Sequence, residues 1–280
     1  MKKTILLVHR AHRFSPNCVE RDAAVLSAIH KAFEAKGYCV EHVEEDDITE
    51  EYLLTVSCII ISMARSKEAL MLLEKWEQQE EHTVWNSAKS LLKNTRAKQM
   101  ERFLFSRLPI PSTEITDDPK STTLNFPLWV KTGGGDAEAA TDVRYFSNNA
   151  ELQNADFEER QTYVLSEHVE GDLLKFYGIA GTSFFYAYAP TSSGSGFSKF
   201  GLEAHNGASR GYAYDVEQLH QLGEKAAKIC NFKLYGGDCI VRPDGSFALI
   251  DFNDFPSFAP CAQEAARALV ERLTFKDHAE

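Results

Sequence analysis

Apolar positions along this chain return with two different periods, and the switching between them marks out the elements. A short apolar run over residues 4–8 reads as a strand, followed by the polar loop His9–Asn17. From about Glu20 to Lys36, Ala24, Leu26, Ile29, Ala32 and Phe33 recur at helical spacing, and Gly37 closes the segment. Tyr38–Val43 reads as a second strand and Val56–Met63 as a third, apolar enough for burial on both faces. Ser66–Glu80 reads as a helix with a charged outer side. Strand and helix alternate, which predicts a small parallel α/β unit over the first ~90 residues.

Downstream, Val84-Trp85-Asn86-Ser87 precedes a helix over about Thr95–Arg107 and a break at Leu108-Pro109-Ile110-Pro111. Phe126–Lys131 reads as a strand that runs into the loop Thr132-Gly133-Gly134-Gly135-Asp136. A polar helix near 148–160 and a strand over Thr162–Val169 follow. Leu173–Tyr188 divides into two strands joined at Gly181-Thr182. The Ser/Gly segment Thr191–Ser198 reads as a mobile loop. Helices are expected over Asp215–Cys230 and Cys261–Leu273. There is no internal repeat and no low-complexity linker.

Between those last helices, two apolar runs flank Asp244-Gly245, the signal for a tight hairpin turn. A two-residue turn pairs Pro243 with Ser246 and so sets Asp238 opposite Asp251, with Asn253 on the same face. Two carboxylates ~5 Å apart across a sheet repel by roughly 3 kcal/mol at an effective dielectric near 20. A divalent cation held by both and by the amide oxygen would relieve this, and an all-oxygen donor set suits Mg²⁺. The same residues also fit an ordinary hairpin with an exposed Asp, a strand-end Asp and a turn Asn. A one-residue slip of the turn would put the two Asp on opposite faces.

Composition narrows the partners. At 280 residues, 44% hydrophobic and 25% charged, the chain reads as an ordinary globular protein of one large domain or two or three small ones. A net charge of −11 argues against nucleic-acid binding, although a local basic pocket can still hold an anion. No apolar run approaches the ~18 residues of a membrane span, and the apolar stretch Ile5–Val8 is too short for a secretion signal. Six cysteines, with no Cys-x-x-Cys pair, suit a reducing cytoplasm, which is the expected location. Cys39, Cys58 and Cys239 read as small core residues. Nothing in the pattern specifies an oligomeric state.

Taken in order, these segments resemble the ATP-grasp enzymes over nearly the whole chain. Val84-Trp85-Asn86-Ser87 resembles the family's strand ending in Asn-Ser. Thr95-Arg96-Ala97-Lys98 and Leu108-Pro109-Ile110-Pro111 are similar to its segment with a nucleotide-binding lysine and the following turn. Phe126–Lys131 resembles the strand carrying a second lysine, and Leu165-Ser166-Glu167-His168-Val169 the hinge that reads adenine. Asp238, Asp251 and Asn253, before Pro256, match the metal-binding signature, where many members have Glu in place of Asp251. The resemblance implies a parallel domain over 1–92, a small lobe over 93–165 and a metal-bearing lobe over 166–280, the two lobes clamping the nucleotide.

It implies ATP and Mg²⁺ as cofactors, with Lys98 and Lys131 meeting the phosphates. Backbone atoms of Glu167 and Val169 would bind adenine, and Asp172 the ribose or a nearby cation. Gly133, Gly134 and Gly135 would let N–H groups approach a phosphate, or form a plain flexible loop. Lys175 and Arg210 are the candidate catalytic cations, while His9, His12 and His168 read more simply as surface or packed histidines. P-loop, protein-kinase, dinucleotide-fold and Ser-hydrolase motifs are all missing.

The γ-phosphoryl group of ATP would pass to a small-molecule acceptor. Carboxylate–amine ligases usually carry Arg at the place of Lys175, whereas inositol-phosphate kinases resemble this chain in having Lys there and in Ile250-Asp251-Phe252-Asn253-Asp254-Phe255-Pro256. Glu203-Ala204-His205-Asn206-Gly207 is similar to an acceptor-side loop of the ligases. A polyphosphate acceptor needs several cations, and the loop of His9, Arg10, His12 and Arg13 is their expected source, unless it is only a solvated turn. Because ligases dominate the family, a ligase is the reading of choice. A kinase and a nucleotide-binding protein without turnover are the alternatives.

Overall fold

The computed structural model describes residues 4–15, 18–56, 59–79, 82–134, 142–190 and 205–274. The chain opens with β1 (Thr4–His9), α1 (Val19–Glu34), β2 (Cys39–Glu44), α2 (Glu50–Leu53), β3 (Ile59–Ser62), α3 (Lys67–Glu77), β4 (Thr83–Trp85) and α4 (Ala88–Leu92). Its strands form one parallel sheet in the order β2-β1-β3-β4, as the alternating pattern predicts. Ile5 and Leu7 pack with α1, while Leu6, Val8 and Ile60 face Leu70, Leu73 and Trp76 of α3. Fully burying each such side chain stabilises by about 1.5–3 kcal/mol. The strand β2 lies at the sheet edge, so Cys39 is exposed and is not a core residue. Cys239 is buried as expected, and Cys58 lies outside the described residues. The four- and five-residue helices α2 and α4 are too short to show a helical period in the sequence.

Next come α5 (Arg96–Phe105), β5 (Thr113–Thr116), β6 (Leu128–Thr132), β7 (Val143–Phe146), α6 (Asn149–Asn154) and β8 (Tyr163–Glu167). They build an antiparallel sheet ordered β5-β8-β6-β7, with Leu152 of α6 packed beside Leu128, Val130 and Leu165. Only β6 and β8 carry an apolar signal; β5 and β7 are four-residue strands that are mostly half-buried. The helix α6 is shorter than the 148–160 span and starts under its Asn148 cap.

The third sheet, also antiparallel, has the order β10-β9-β11-β12. It comprises β9 (Asp172–Ile179), β10 (Phe185–Tyr188), β11 (Leu234–Val241) and β12 (Phe247–Asp254), with α7 (Val216–Cys230) before β11 and α8 (Ala262–Thr274) last. One sheet face lies under α5 and α7, burying Phe176, Tyr235, Cys239 and Phe252 with Phe103, Leu219 and Ala226. The opposite face carries the polar residues described below. The helix α8 returns to pack on α1, placing Ala265, Ala266 and Leu269 in the same core as Leu26, Ile29 and Phe33. Among the described residues, no helix is long and apolar enough to cross a membrane.

Candidate active site

The hairpin β11–β12 does bring Asp238 opposite Asp251, by a route the turn signal does not reveal. The turn is one residue longer than Asp244-Gly245. Arg242 donates to Ser246 O (2.9 Å) and Gly245 to Arg242 O (2.9 Å), which closes a three-residue loop with Gly245 at φ 79°. Val241 therefore pairs with Phe247, a register that would set Asp238 against Ile250. A bulge beside Asp238 and Cys239 takes up one residue, and the pairing beyond it returns Asp251 to Asp238. The bulge also turns two backbone groups outward. Leu249 N–H donates to Pro109 O (2.7 Å), fastening the Leu108–Pro111 turn to the hairpin, and Ile250 O accepts from Lys131 Nζ (2.8 Å). No Cβ fits at Gly237 on β11, since it would stand 2.6 Å from Asp251 O.

Three neighbouring strands then align charge across one sheet face. Lys175 of β9 is in register with Asp238 of β11, and Asp238 with Asp251 of β12. Lys175 Nζ donates to Asp238 Oδ2 (2.8 Å), Lys131 Nζ of β6 lies 3.7 Å from Asp251 Oδ1, and Asn253 Nδ2 donates to Asp251 Oδ2 (2.8 Å). Burial pushes the Lys131 pKa down, and Arg96 adds to that while Asp251 opposes it. Burial raises the Asp251 pKa, but Lys131 and Arg96 outweigh it and hold the group below the usual range. Each carboxylate thus has an ammonium group at hand.

A cavity of about 320 Å³ opens over this face, bordered by residues of both antiparallel sheets and by loop and α1 residues of the parallel unit. Its border carries six basic side chains (Arg10, Arg21, Arg65, Arg96, Lys131, Lys175) against four acidic ones, inside a protein of net charge −11. One part is apolar, formed by Pro111, Trp129, Val143, Val169, Leu173, Ile240 and Ile250. At the hinge, Glu167 N–H donates to Ser112 O (2.9 Å) and His168 N–H to Pro127 O (2.8 Å). The Val169 N–H, just past the strand, forms no hydrogen bond among the described residues. Trp129 Nε1 donates to His168 Nδ1 (3.1 Å), and burial lowers the His168 pKa.

Lys131, Lys175, Asp238, Asp251, Asn253 and Val169 all border the cavity. The other expected residues stand elsewhere. Lys98 is exposed on α5, and it is Arg96, the first residue of that helix after the Thr95 cap, that borders the cavity and donates to Thr132 O (2.6 Å). A helix starting at Thr95 turns its first residue and its third to different sides, and this was the available signal. The Glu167 N–H, expected at adenine, is committed to Ser112 O (2.9 Å), its carboxylate is held by the backbone and amide of Asn125 (2.9 Å each), and the residue does not border the cavity. Asp172 is buried and accepts from the backbone N–H of Arg210 (2.6 Å) and Tyr212 (2.8 Å), so it fixes a loop and does not reach the cavity. Arg210 itself is exposed, with Glu170 at 3.5 Å and Tyr212 Oη at 3.1 Å. Gly133 N–H is committed to Thr162 O (2.7 Å), and the carbonyls of Gly133 and Gly134 accept from Ala97 and Arg96. Gly135, Asp136 and the segment 191–204 lie outside the described residues.

Of the loop His9–Arg13, only Arg10 borders the cavity, donating to Met63 O (3.3 Å) and Phe255 O (3.1 Å). Arg13 instead makes a bidentate pair with Asp46 (2.7 Å each), and His9 bonds His42. Arg65 pairs with buried Asp254 (2.8 Å). Arg65, Arg21 and Asp22 carry no motif. Asp22 does leave one trace, an acid on the buried stripe of α1 with Val25, Ile29 and Phe33.

No family model and no curated protein matches the sequence. Solved structures do match the fold. A RimK domain protein ATP-grasp from Sphaerobacter thermophilus aligns at TM-score 0.64 and 14% identity, over 96% of this chain and 98% of that one. An ATP-grasp ligase PsnB, complexed with minimal precursor, Mg and ADP, aligns at 0.63 and 16%, over 95% and 97%. An N5-carboxyaminoimidazole ribonucleotide synthetase from Thermotoga maritima aligns at 0.64 and 12%, over 96% and 76%. With one parallel sheet, two antiparallel sheets and a charged cavity among them, aligned nearly end to end with these proteins, the chain has the ATP-grasp fold.

Proposed function

We propose that this protein is a Mg²⁺-dependent ATP-grasp ligase that passes the γ-phosphoryl group of ATP to a carboxylate and joins the acyl phosphate to an amine. The observation that carries this reading is the charge row Lys175, Asp238, Asp251, Lys131 along one cavity with an apolar part beside it. The apolar part suits a purine between Trp129, Leu173 and Ile240, with the Val169 N–H as a donor to its edge. Lys131 and Arg96 are in place to meet phosphate oxygens, which is where phosphoryl transfer gains most from fixed positive charge.

The donor set Asp238, Asp251 and Asn253 fits a hard cation, because all its oxygens come from one face of one hairpin. No group of three or more Asp, Glu, His or Cys is arranged for a metal among the described residues, and the Asn253 amide, which donates to Asp251 Oδ2, would supply its oxygen as a third donor. When bound there, Mg²⁺ would supply charge neutralisation at the phosphates. In the reaction, a carboxylate oxygen of the acceptor forms a bond to the γ-phosphorus as the bond to ADP breaks. The amine nitrogen then attacks the carbonyl carbon, inorganic phosphate leaves, and the nitrogen loses a proton. Lys175 is in place to hold the acceptor carboxylate against Asp238.

The distribution of cations favours the ligase over a polyol-phosphate kinase. Arg13 is held by Asp46, and Arg10 and Arg65 border the cavity beside Asp22 and Asp254, a setting that suits one carboxylate better than a polyphosphate. The test is ADP release from ATP and Mg²⁺ in the presence of hydroxylamine, which traps an acyl phosphate as a hydroxamate. Hydroxamate formation, abolished in Asp251→Asn, supports the ligase. A phosphate ester on a polyol points to the kinase, and ATP binding with no ADP under a broad acceptor screen points to a binding protein.

A further inference from the structure

Along β9 the side chains of the cavity face follow an order. Leu173, Lys175 and Tyr177 border the cavity at alternate positions, while Leu174 and Phe176 between them are buried on the other face, under α5 and α7. Leu173 stands opposite Ile240 in the apolar part, and Lys175 opposite Asp238 in the charge row. Tyr177 comes one pleat further on, about 7 Å past Lys175 and on the side away from the purine part. With the purine part at one end and the phosphate row in the middle, Tyr177 stands at the acceptor end.

Its ring is fixed in place. The strand partner of Tyr177 is Gly236, where a Cβ would stand 2.8 Å from Tyr177 Cδ1, so the ring lies against bare backbone. Phe258 packs on it, 5.5 Å between ring centroids. The Tyr177 Oη is 3.3 Å from the Oη of Tyr188, which stands opposite Lys175 in β10. Burial pushes both phenols above their ordinary pKa, and the Asp238 charge acts in the same direction, so both hydroxyls keep their protons. In such a pair one hydroxyl donates to the other, and the accepting one still has a proton to give. Lys175 is a compact point charge without the paired donors of a guanidinium, and it already donates to Asp238. An oxygen that gains charge beside it is held best when a second fixed donor stands near.

We propose that Tyr177, oriented by Tyr188, is a catalytic residue that donates a hydrogen bond to the carbonyl oxygen of the acceptor beside Lys175. This rests on the ligase reading above and adds a residue to that site. As the amine nitrogen bonds to the carbonyl carbon of the acyl phosphate, the π electron pair of the C=O moves onto this oxygen. The pair returns as the bond from carbon to the phosphate oxygen breaks, inorganic phosphate leaves, and the nitrogen loses its proton. The Tyr177 hydrogen bond strengthens as the negative charge appears, so it acts on this second step.

The test separates the two steps. Wild-type protein with ATP, Mg²⁺ and hydroxylamine is given a panel of carboxylates (acetate, succinate, citrate, benzoate and the common amino acids), and the one giving most hydroxamate is kept. With that carboxylate, rapid quench measures the first-turnover burst of ADP, and the steady rate of hydroxamate formation gives kcat. Tyr177→Phe, its fold checked by thermal melting, is expected to keep the burst and the KM for ATP within about twofold while kcat falls about 100-fold, the usual cost of one such donor. Tyr188→Phe is expected to show the same split with a smaller fall in kcat, and it decides the matter should Tyr177→Phe fail to fold. An unchanged kcat, or a burst that falls in parallel with kcat, overturns the assignment. Hydroxamate from wild type with unchanged kcat in Tyr177→Phe removes the tyrosine and leaves the ligase. No hydroxamate from wild type with any carboxylate removes the ligase reading, and the assignment with it.

Discussion

Replacing Asn86 by alanine tests how the metal-bearing strand is held in place. Asn86 is fully buried just past β4, where its Oδ1 accepts from the backbone N–H of Lys233 (2.6 Å) and Leu234 (2.8 Å). Its Nδ2 donates to Leu234 O (2.7 Å), so one side chain pairs with β11 as a strand would. Alanine leaves the N–H groups of Lys233 and Leu234 without this acceptor, while Leu234 O keeps the Phe255 N–H (3.1 Å). At roughly 1–3 kcal/mol for each of the two buried N–H groups, the expected loss is about 2–6 kcal/mol. That is a large part of the 5–15 kcal/mol typical of a folded domain. The tie joins the parallel unit to the first residue of β11, on the strand that carries Asp238, so ADP formation should fall with stability. Urea denaturation followed by circular dichroism and by tryptophan fluorescence measures the cost, and coincident transitions justify a two-state treatment. Exposed Asn154→Ala is the control and should stay within about 0.5 kcal/mol of wild type. A cost below about 1 kcal/mol for Asn86→Ala would refute the reasoning.

Three further outcomes are expected. Arg96→Ala should weaken ATP binding by about 10- to 150-fold, the loss of one charge-assisted hydrogen bond, whereas exposed Lys98→Ala should change it by less than about twofold; equal effects in calorimetry would restore Lys98. Because Lys175 and Lys131 already stand beside Asp238 and Asp251, Mg²⁺ alone should raise the melting temperature little, and Mg²⁺ with ATP by more than the sum of the separate shifts; a full shift from Mg²⁺ alone counts against the shared site. Burial raises the Asp172 pKa, but backbone N–H groups of Arg210 and Tyr212 bring it below its ordinary 3.8. Its stabilisation is therefore full above that value and is lost as pH falls through the lower folded one; Asp172→Asn should flatten the acid limb of stability against pH, and an unchanged limb would show that the loop tie contributes nothing.

Much of the local structure was legible because it is decided locally. Ser66, Thr95 and Asp215, where the sequence starts its helices, are the capping residues of α3, α5 and α7, each accepting from the first turn. The elements missed were α2, α4, β5 and β7, all of five residues or fewer, too short for a period to build up. The hairpin shows both sides of the matter. Alternation correctly placed Asp251 and Asn253 on one face, but the turn register was off by one residue, and an unforeseen bulge at Ile250 cancelled the error. Within Thr95–Lys98 the motif selected a helix whose first residue, Arg96, borders the cavity, while Lys98 is exposed.

By itself the sequence determined the order of the longer strands and helices and that Asp251 and Asn253 share a face of one hairpin strand, because periodicity acts over neighbouring residues. Only the tertiary structure decided which cations meet Asp238 and Asp251 and which other side chains border the cavity. Lys175 reaches Asp238 across 63 residues, Lys131 reaches Ile250 across 119, and Asn86 reaches Leu234 across 148. Such contacts depend on how three sheets pack, and no local pattern encodes the distance between side chains that meet only after the chain has closed on itself.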